Sequence, residues 1–188
     1  MTGYARRIRA EAVAEGRSFL RRRTAVFFTF FFPVIIVGIF GLLIQTKPTG
    51  GGLFAKPQSY YVPGYLAVVV VLTPLSRVGS TVARHRSERR FEKLVTTPLS
   101  RAEWLVAHTL VNIGLIGVAG VILMAVLAVL GKAPTSMSPA AVVLFLVFLA
   151  LGIAMFCAFG SIIGSIADSE DGVIAASNGL GIPLVFLA

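Results

Sequence analysis

Charge is scarce in this chain. Acidic and basic residues make up only 13% of its 188 positions, about half the share of an ordinary soluble domain. With 56% hydrophobic residues, that scarcity excludes a disordered chain and a simple water-soluble enzyme. Cysteine occurs once, as Cys157 within an apolar run, so no disulfide scaffold is available. A lone cysteine in such a run reads as a small apolar residue. No G-x-x-x-x-G-K-[ST] segment is present, so there is no P-loop for a nucleotide, and H-E-x-x-H and paired-cysteine motifs are absent as well. The two histidines, His85 and His108, stand apart in sequence and read as interfacial side chains rather than ligands. No nucleophile, base and orienting group fall into a recognisable pattern. The expectation is a chain without catalytic, metal or cofactor residues; any ATP and Mg that energise it sit on a partner.

What the chain does have is long uncharged runs, the mark of an integral membrane protein. Residues 24–45 carry no charge and as a helix cover about 33 Å, enough to cross a bilayer core. Further spans are expected at 65–83, 100–131 and 139–167. A last apolar run, 173–188, covers about 24 Å as a helix, short of a full crossing, so a fifth span cut short is expected. The fold class is therefore all-α, a polytopic helical bundle, and 1–188 form one transmembrane domain. Segments 46–62 and 132–138, rich in Pro and Gly, read as loops.

The net charge of +9 does not point to nucleic acid, because the cations cluster at the ends of apolar runs instead of covering a soluble face. Residues 1–23 hold seven arginines among Tyr4, Ile8, Ala12 and Phe19 at helical spacing, the pattern of an amphipathic helix on a surface of anionic lipid. With the amino terminus inside, fourteen cations fall on the inner side and only Lys47, Lys56 and Lys132 on the outer. This positive-inside bias sets the orientation in the cell membrane.

Three residues form a candidate intramembrane polar site: Arg77, Asn112 and Asn178. Arg77 sits close enough to the inner end of its span for its head to reach the interface, and a substrate or gating charge is the rival reading. Asn112 and Asn178 serve either as helix glue or as part of a translocation path, and glue is preferred. Gly160 and Gly164 form a G-x-x-x-G, and Gly114, Gly117 and Gly120 line part of the third span. Both internal packing and a subunit interface use such stripes.

Residues 86–108 carry the most information. Ser100-Arg101-Ala102-Glu103 fits a capping box, with Leu99 and Trp104 as its hydrophobic staple. Pro98 ends whatever helix precedes it. Over 86–97, Phe91, Leu94 and Val95 make a small apolar face among Arg89, Arg90 and Lys93. Such a short helix is either a surface connector or a knob for a groove on a cytoplasmic partner.

This stretch resembles the cytoplasmic loop of the permeases of type-2 ATP-binding-cassette (ABC) exporters. It carries Glu88-Arg89-Arg90, then Glu92-Lys93-Leu94, then Thr97-Pro98-Leu99-Ser100-Arg101. The family's Gly-Lys position is Ala107-His108 here, and its Gly-Thr before the "L-E" is replaced around Arg90-Phe91. Tyr61-Val62-Pro63-Gly64-Tyr65 is similar to the segment that opens the family's second span, and Pro183 falls in a run similar to its fifth. The resemblance implies a six-span permease that dimerises on two ATPase subunits, with Glu88–Thr97 as the coupling helix: Phe91 and Leu94 as groove anchors, Arg89, Arg90 and Lys93 as rim charges. The function it implies is ATP-driven export. The rivals are a membrane anchor or assembly protein without a substrate, and a stand-alone channel.

Overall fold

A computed structural model describes residues 3–42, 62–129 and 138–187. Among these residues there are seven helices and no strand: α1 (Gly3–Arg21), α2 (Arg23–Leu42), α3 (Val62–Ser87), α4 (Arg90–Leu94), α5 (Arg101–Val129), α6 (Pro139–Ile166) and α7 (Glu170–Leu187). Lys47, Lys56 and Lys132, expected in loops, lie outside the described residues.

The helix boundaries follow local chemistry. Ser138 is extended and its hydroxyl accepts from the Ala141 amide at 3.2 Å, with Pro139 supplying a first-turn residue that needs no donor. Ser169 does the same for the Gly172 amide at 3.0 Å, and Glu170 and Asp171 occupy the first turn of α7, where carboxylates complement the helix dipole. These caps start α7 three residues before the apolar run that began the expected span.

Three described helices are long and apolar enough to cross a membrane: Ala67–Ser87, Arg101–Val126 and Pro139–Ile166. α3 is the central one and packs chiefly on α6 and α7, while α5 packs on α1, α2 and α6. The core gathers Val70, Val78 and Val82 of α3, Trp104 and Ile116 of α5, and Ile153 and Cys157 of α6. Among the described residues nothing covers most of α6; Val143, Leu146 and Phe148 face outward, as suits a helix surrounded by lipid.

The glycine stripe on α6 is the seam of the α3–α6 contact. A Cβ on Gly160 would lie 2.5 Å from the Leu75 carbonyl oxygen of α3, and one on Gly164 would overlap the Gly79 carbonyl. Gly79 itself meets the Gly160 carbonyl. Gly160 and Gly164 therefore serve internal packing, which decides between the two uses open to this stripe. Gly114 and Gly117 of α5 face open space in the chain.

α1 is more than a surface helix. Its face of Ile8, Glu11, Ala12, Glu15 and Phe19 is partly or fully buried, and it packs against α5, leaving Arg6, Arg9, Arg17 and Arg21 exposed. Four of the five α1 arginines are on the outer face, as the amphipathic pattern requires, but Arg7 turns inward and two acids ride on the inner face.

Candidate functional site

The candidate site is the end of the bundle where α3 runs out, α4 turns the chain, α5 begins and α1 crosses. α3 continues to Ser87, after which the Glu88 and Arg89 amides bond back to the Arg84 and Arg86 carbonyls at 2.9 and 3.1 Å. Arg89 then takes a left-handed conformation, φ 53° and ψ 29°, the only positive-φ residue other than glycine among those described. That conformation is costly for a side chain with a Cβ, and it ends the helix. α4 therefore spans five residues rather than the dozen expected over 86–97. After Leu94, the Thr96 and Thr97 hydroxyls donate to the Lys93 and Leu94 carbonyls at 2.7 Å. These bonds hold Val95–Pro98 as a turn.

Ser100 and Glu103 then start α5. The Ser100 amide donates to Glu103 Oε2 at 2.6 Å, and the Glu103 amide donates to Ser100 Oγ at 3.2 Å. Glu103 is fully buried, and its other oxygen accepts from Arg7 Nε and Nη2 at 2.8 and 2.6 Å. One carboxylate thus caps α5 and ties α1 to it.

Phe91 and Leu94 face the bundle. Phe91 stands edge-on to Trp104 with ring centroids 5.5 Å apart, and His85 lies 5.6 Å from both rings. Trp104 in turn packs on His108 at 3.9 Å. Leu94 and Leu99 pack against the same core. In this chain Phe91 and Leu94, expected as anchors on a partner, pack the loop against α3 and α5. The physical reason is the left-handed Arg89, which reverses the chain and rolls the apolar side of α4 inward. Arg89, Arg90, Glu92, Lys93, Thr97 and Pro98 are exposed, as is Val95 at 74% of its surface. Arg90 pairs with Glu88 at 2.5 Å.

Arg77 does not snorkel free. Its Nη2 donates to Glu15 of α1 at 3.1 Å, its guanidinium lies 4.3 Å from the Phe19 ring centroid, and 19% of its side chain is exposed. His108 sits 3.7 Å from Glu11 and 4.0 Å from Glu15. Arg84 reaches Glu170 of α7 at 3.7 Å, and Arg86 donates to the Ser165 carbonyl in the last turn of α6, where helix carbonyls lack partners of their own. A groove of about 410 Å³ lies between α1, α2, α3 and α7, lined by Arg22, Thr29, Ser76, Arg77, Ser80 and Asn178 among others. Arg77 and Asn178 thus share one groove. Asn112 is apart from it, buried in α5, with its amide donating to the His108 carbonyl at 2.9 Å.

The partners that sequence reading missed are Glu11, Glu15, His108 and Glu170. A signal existed for two of them: Glu11 and Glu15 are four apart and share the helical stripe of Ile8 and Phe19.

The profile of the ABC-2 type transporter matches residues 7–188. The chain belongs to the ABC-2 type transporter family. It is a membrane-embedded transport permease; the ABC-2 membrane domain is the transmembrane component, and a nucleotide-binding domain is not part of it. ABC-2 membrane domains work in general with ABC ATPase partners. No curated protein and no solved structure matches the chain.

Proposed function

We propose that this ABC-2 permease is the membrane subunit of an ATP-driven exporter, and that the loop from Glu88 to Pro98 is where a partner ATPase engages it. ATP and Mg are held on that partner. The permease pairs with a second copy or a related chain, spans the cell membrane five times or more with its amino terminus in the cytoplasm, and rests the arginines of α1 on anionic lipid.

One observation carries the reading: α4 is exposed on one side and locked to two spans on the other. Beneath the loop, Val95, Thr97, Pro98 and Arg101 edge a hollow of about 320 Å³, room for an apolar side chain of a partner. Phe91 and Leu94 connect that ridge to His85 at the end of α3 and Trp104 at the start of α5. When the ATPases close on ATP, a push on Val95 and Pro98 reaches both spans through ring contacts. Packed aromatic contacts transmit displacement because they do not compress. The outcome is a rigid-body switch between two access states, and substrate is exported if its affinity differs between them.

The loop surface is tested by co-expressing the chain with an ABC ATPase and measuring co-purification. Val95→Asp changes an exposed residue, so the fold is expected to survive. A carboxylate forced into an apolar contact costs several kcal/mol, and each 1.4 kcal/mol is tenfold. Recovery of the ATPase is therefore expected to fall at least tenfold. Unchanged recovery places the ATPase elsewhere and overturns the assignment of the loop.

A further inference from the structure

We propose that the groove beside Arg77 binds the anionic group, a phosphate or carboxylate, of the transported substrate, with Arg22 and Arg77 as its cations. This rests on the permease reading and names the class of substrate.

The polar groups on α3 point to it. Thr73, Ser76, Arg77, Ser80, Thr81 and Arg84 follow one another at intervals of three, one, three, one and three residues. That spacing makes a single stripe along the helix. All six line the groove. A stripe of this kind on a helix apolar enough to span a membrane needs polar company, because hydrocarbon offers none. Part of it is present in the chain. Thr81 donates to the Arg77 carbonyl at 2.9 Å, Glu15 takes one nitrogen of Arg77, and Glu170 takes Arg84.

The remainder is unanswered and cationic. Three arginines face two carboxylates in the groove, and each carboxylate already pairs with an arginine. Arg22 is the surplus charge. In addition, Arg77 Nη1 is buried with no hydrogen-bond partner among the described residues. A buried guanidinium nitrogen without an acceptor is costly, and an incoming oxyanion removes that cost. The planar fork of arginine suits phosphate and carboxylate, and the hydroxyls of Ser76, Ser80 and Thr29 supply donors around it. A volume of about 410 Å³ is within the range of small-molecule sites. A cationic substrate would meet the surplus arginine, and a neutral one could offer Nη1 an uncharged acceptor but would leave the surplus charge unanswered.

The test uses the full chain in phosphatidylcholine nanodiscs and two photoactivatable diazirine probes of equal length, a fatty acid and the corresponding fatty alcohol. The acid is expected to label peptides of the groove at least tenfold more than the alcohol, the loss of one charge-assisted hydrogen bond being worth about that much. Arg22→Gln, which breaks no ion pair among the described residues, is expected to remove most of the difference. Arg77→Lys keeps a cation beside Glu15 and removes the second donor, and is expected to lower acid labelling while melting remains unchanged. Excess inorganic phosphate separates the sources: displacement of the acid identifies a free anion as ligand, and resistance identifies the headgroup of an amphiphile. Equal labelling by acid and alcohol, or labelling by the acid that is indifferent to Arg22→Gln, overturns the proposal. No ATPase is present in this assay, so its failure leaves the role of the loop standing, and a failed co-purification leaves the groove standing.

Discussion

Gly160→Val is expected to lower the melting temperature by roughly 6–12 °C, for a cost of about 3 kcal/mol in a chain of this size. The new side chain meets not a flexible neighbour but the backbone of Leu75, 2.5 Å from the first added atom. The helices have to separate, and α3–α6 is the largest contact in the bundle. Loosening it also exposes Val78, Ile153 and Cys157, which fill the same seam. Gly117→Ala is the control. A Cβ there meets nothing within 4 Å, and alanine exceeds glycine in helix propensity by about 1 kcal/mol. That variant should melt at the parental temperature or slightly above. Thermal unfolding in one detergent separates the two; a Gly160→Val chain as stable as the parent contradicts the seam.

The second large effect is at Glu15. Glu15→Leu leaves the guanidinium of Arg77 mostly buried without its carboxylate. Removing one member of a buried ion pair costs about 3 kcal/mol or more, discounted toward that lower figure because about a fifth of each side chain is exposed. The change is expected to loosen α1 from the bundle and to open it to protease. Glu15→Leu with Arg77→Leu removes both charges and should recover most of the stability, since an apolar pair of similar volume is often as stable as the ions. The double-mutant cycle measures the coupling directly. If Glu15→Leu and the double variant are equally stable to within the error of the scan and both match the parent, the pair contributes nothing and α1 is held by apolar contacts alone.

Much of the fold is legible in the sequence because its signals are local. Uncharged runs mark the apolar helices, and Ser138-Pro139 and Ser100-x-x-Glu103 mark where two of them start. The ends that differ are set by similarly local chemistry overlooked in the hydropathy pattern: the Ser169 cap begins α7 before its apolar run, and α3 extends to Ser87 because its final turn carries the charges that meet α6 and α7. The direction of Phe91 was not legible. Period and composition give α4 an apolar side, but which way that side faces depends on the backbone of Arg89, and nothing about an arginine announces a left-handed conformation. The ion pairs were not legible for another reason. Arg7 with Glu103 joins residues 96 apart, and Arg77 with Glu15 joins residues 62 apart; only tertiary packing brings them together. An arginine read alone snorkels, and the same arginine beside a carboxylate does not need to.

In the proposed function α4 transmits motion rather than merely marking a contact. Its most direct test is Phe91→Ala in proteoliposomes holding the permease with its ATPase, where ATP hydrolysis and substrate transport are followed in the same sample. The exposed ridge of Val95 and Pro98 remains, and the ring that meets Trp104 and His85 is gone. The prediction is continued hydrolysis with transport reduced at least tenfold, about the effect of 1.4 kcal/mol lost from the coupling. Transport that keeps its parental ratio to hydrolysis would contradict it and would show that the loop binds the ATPase without carrying the stroke.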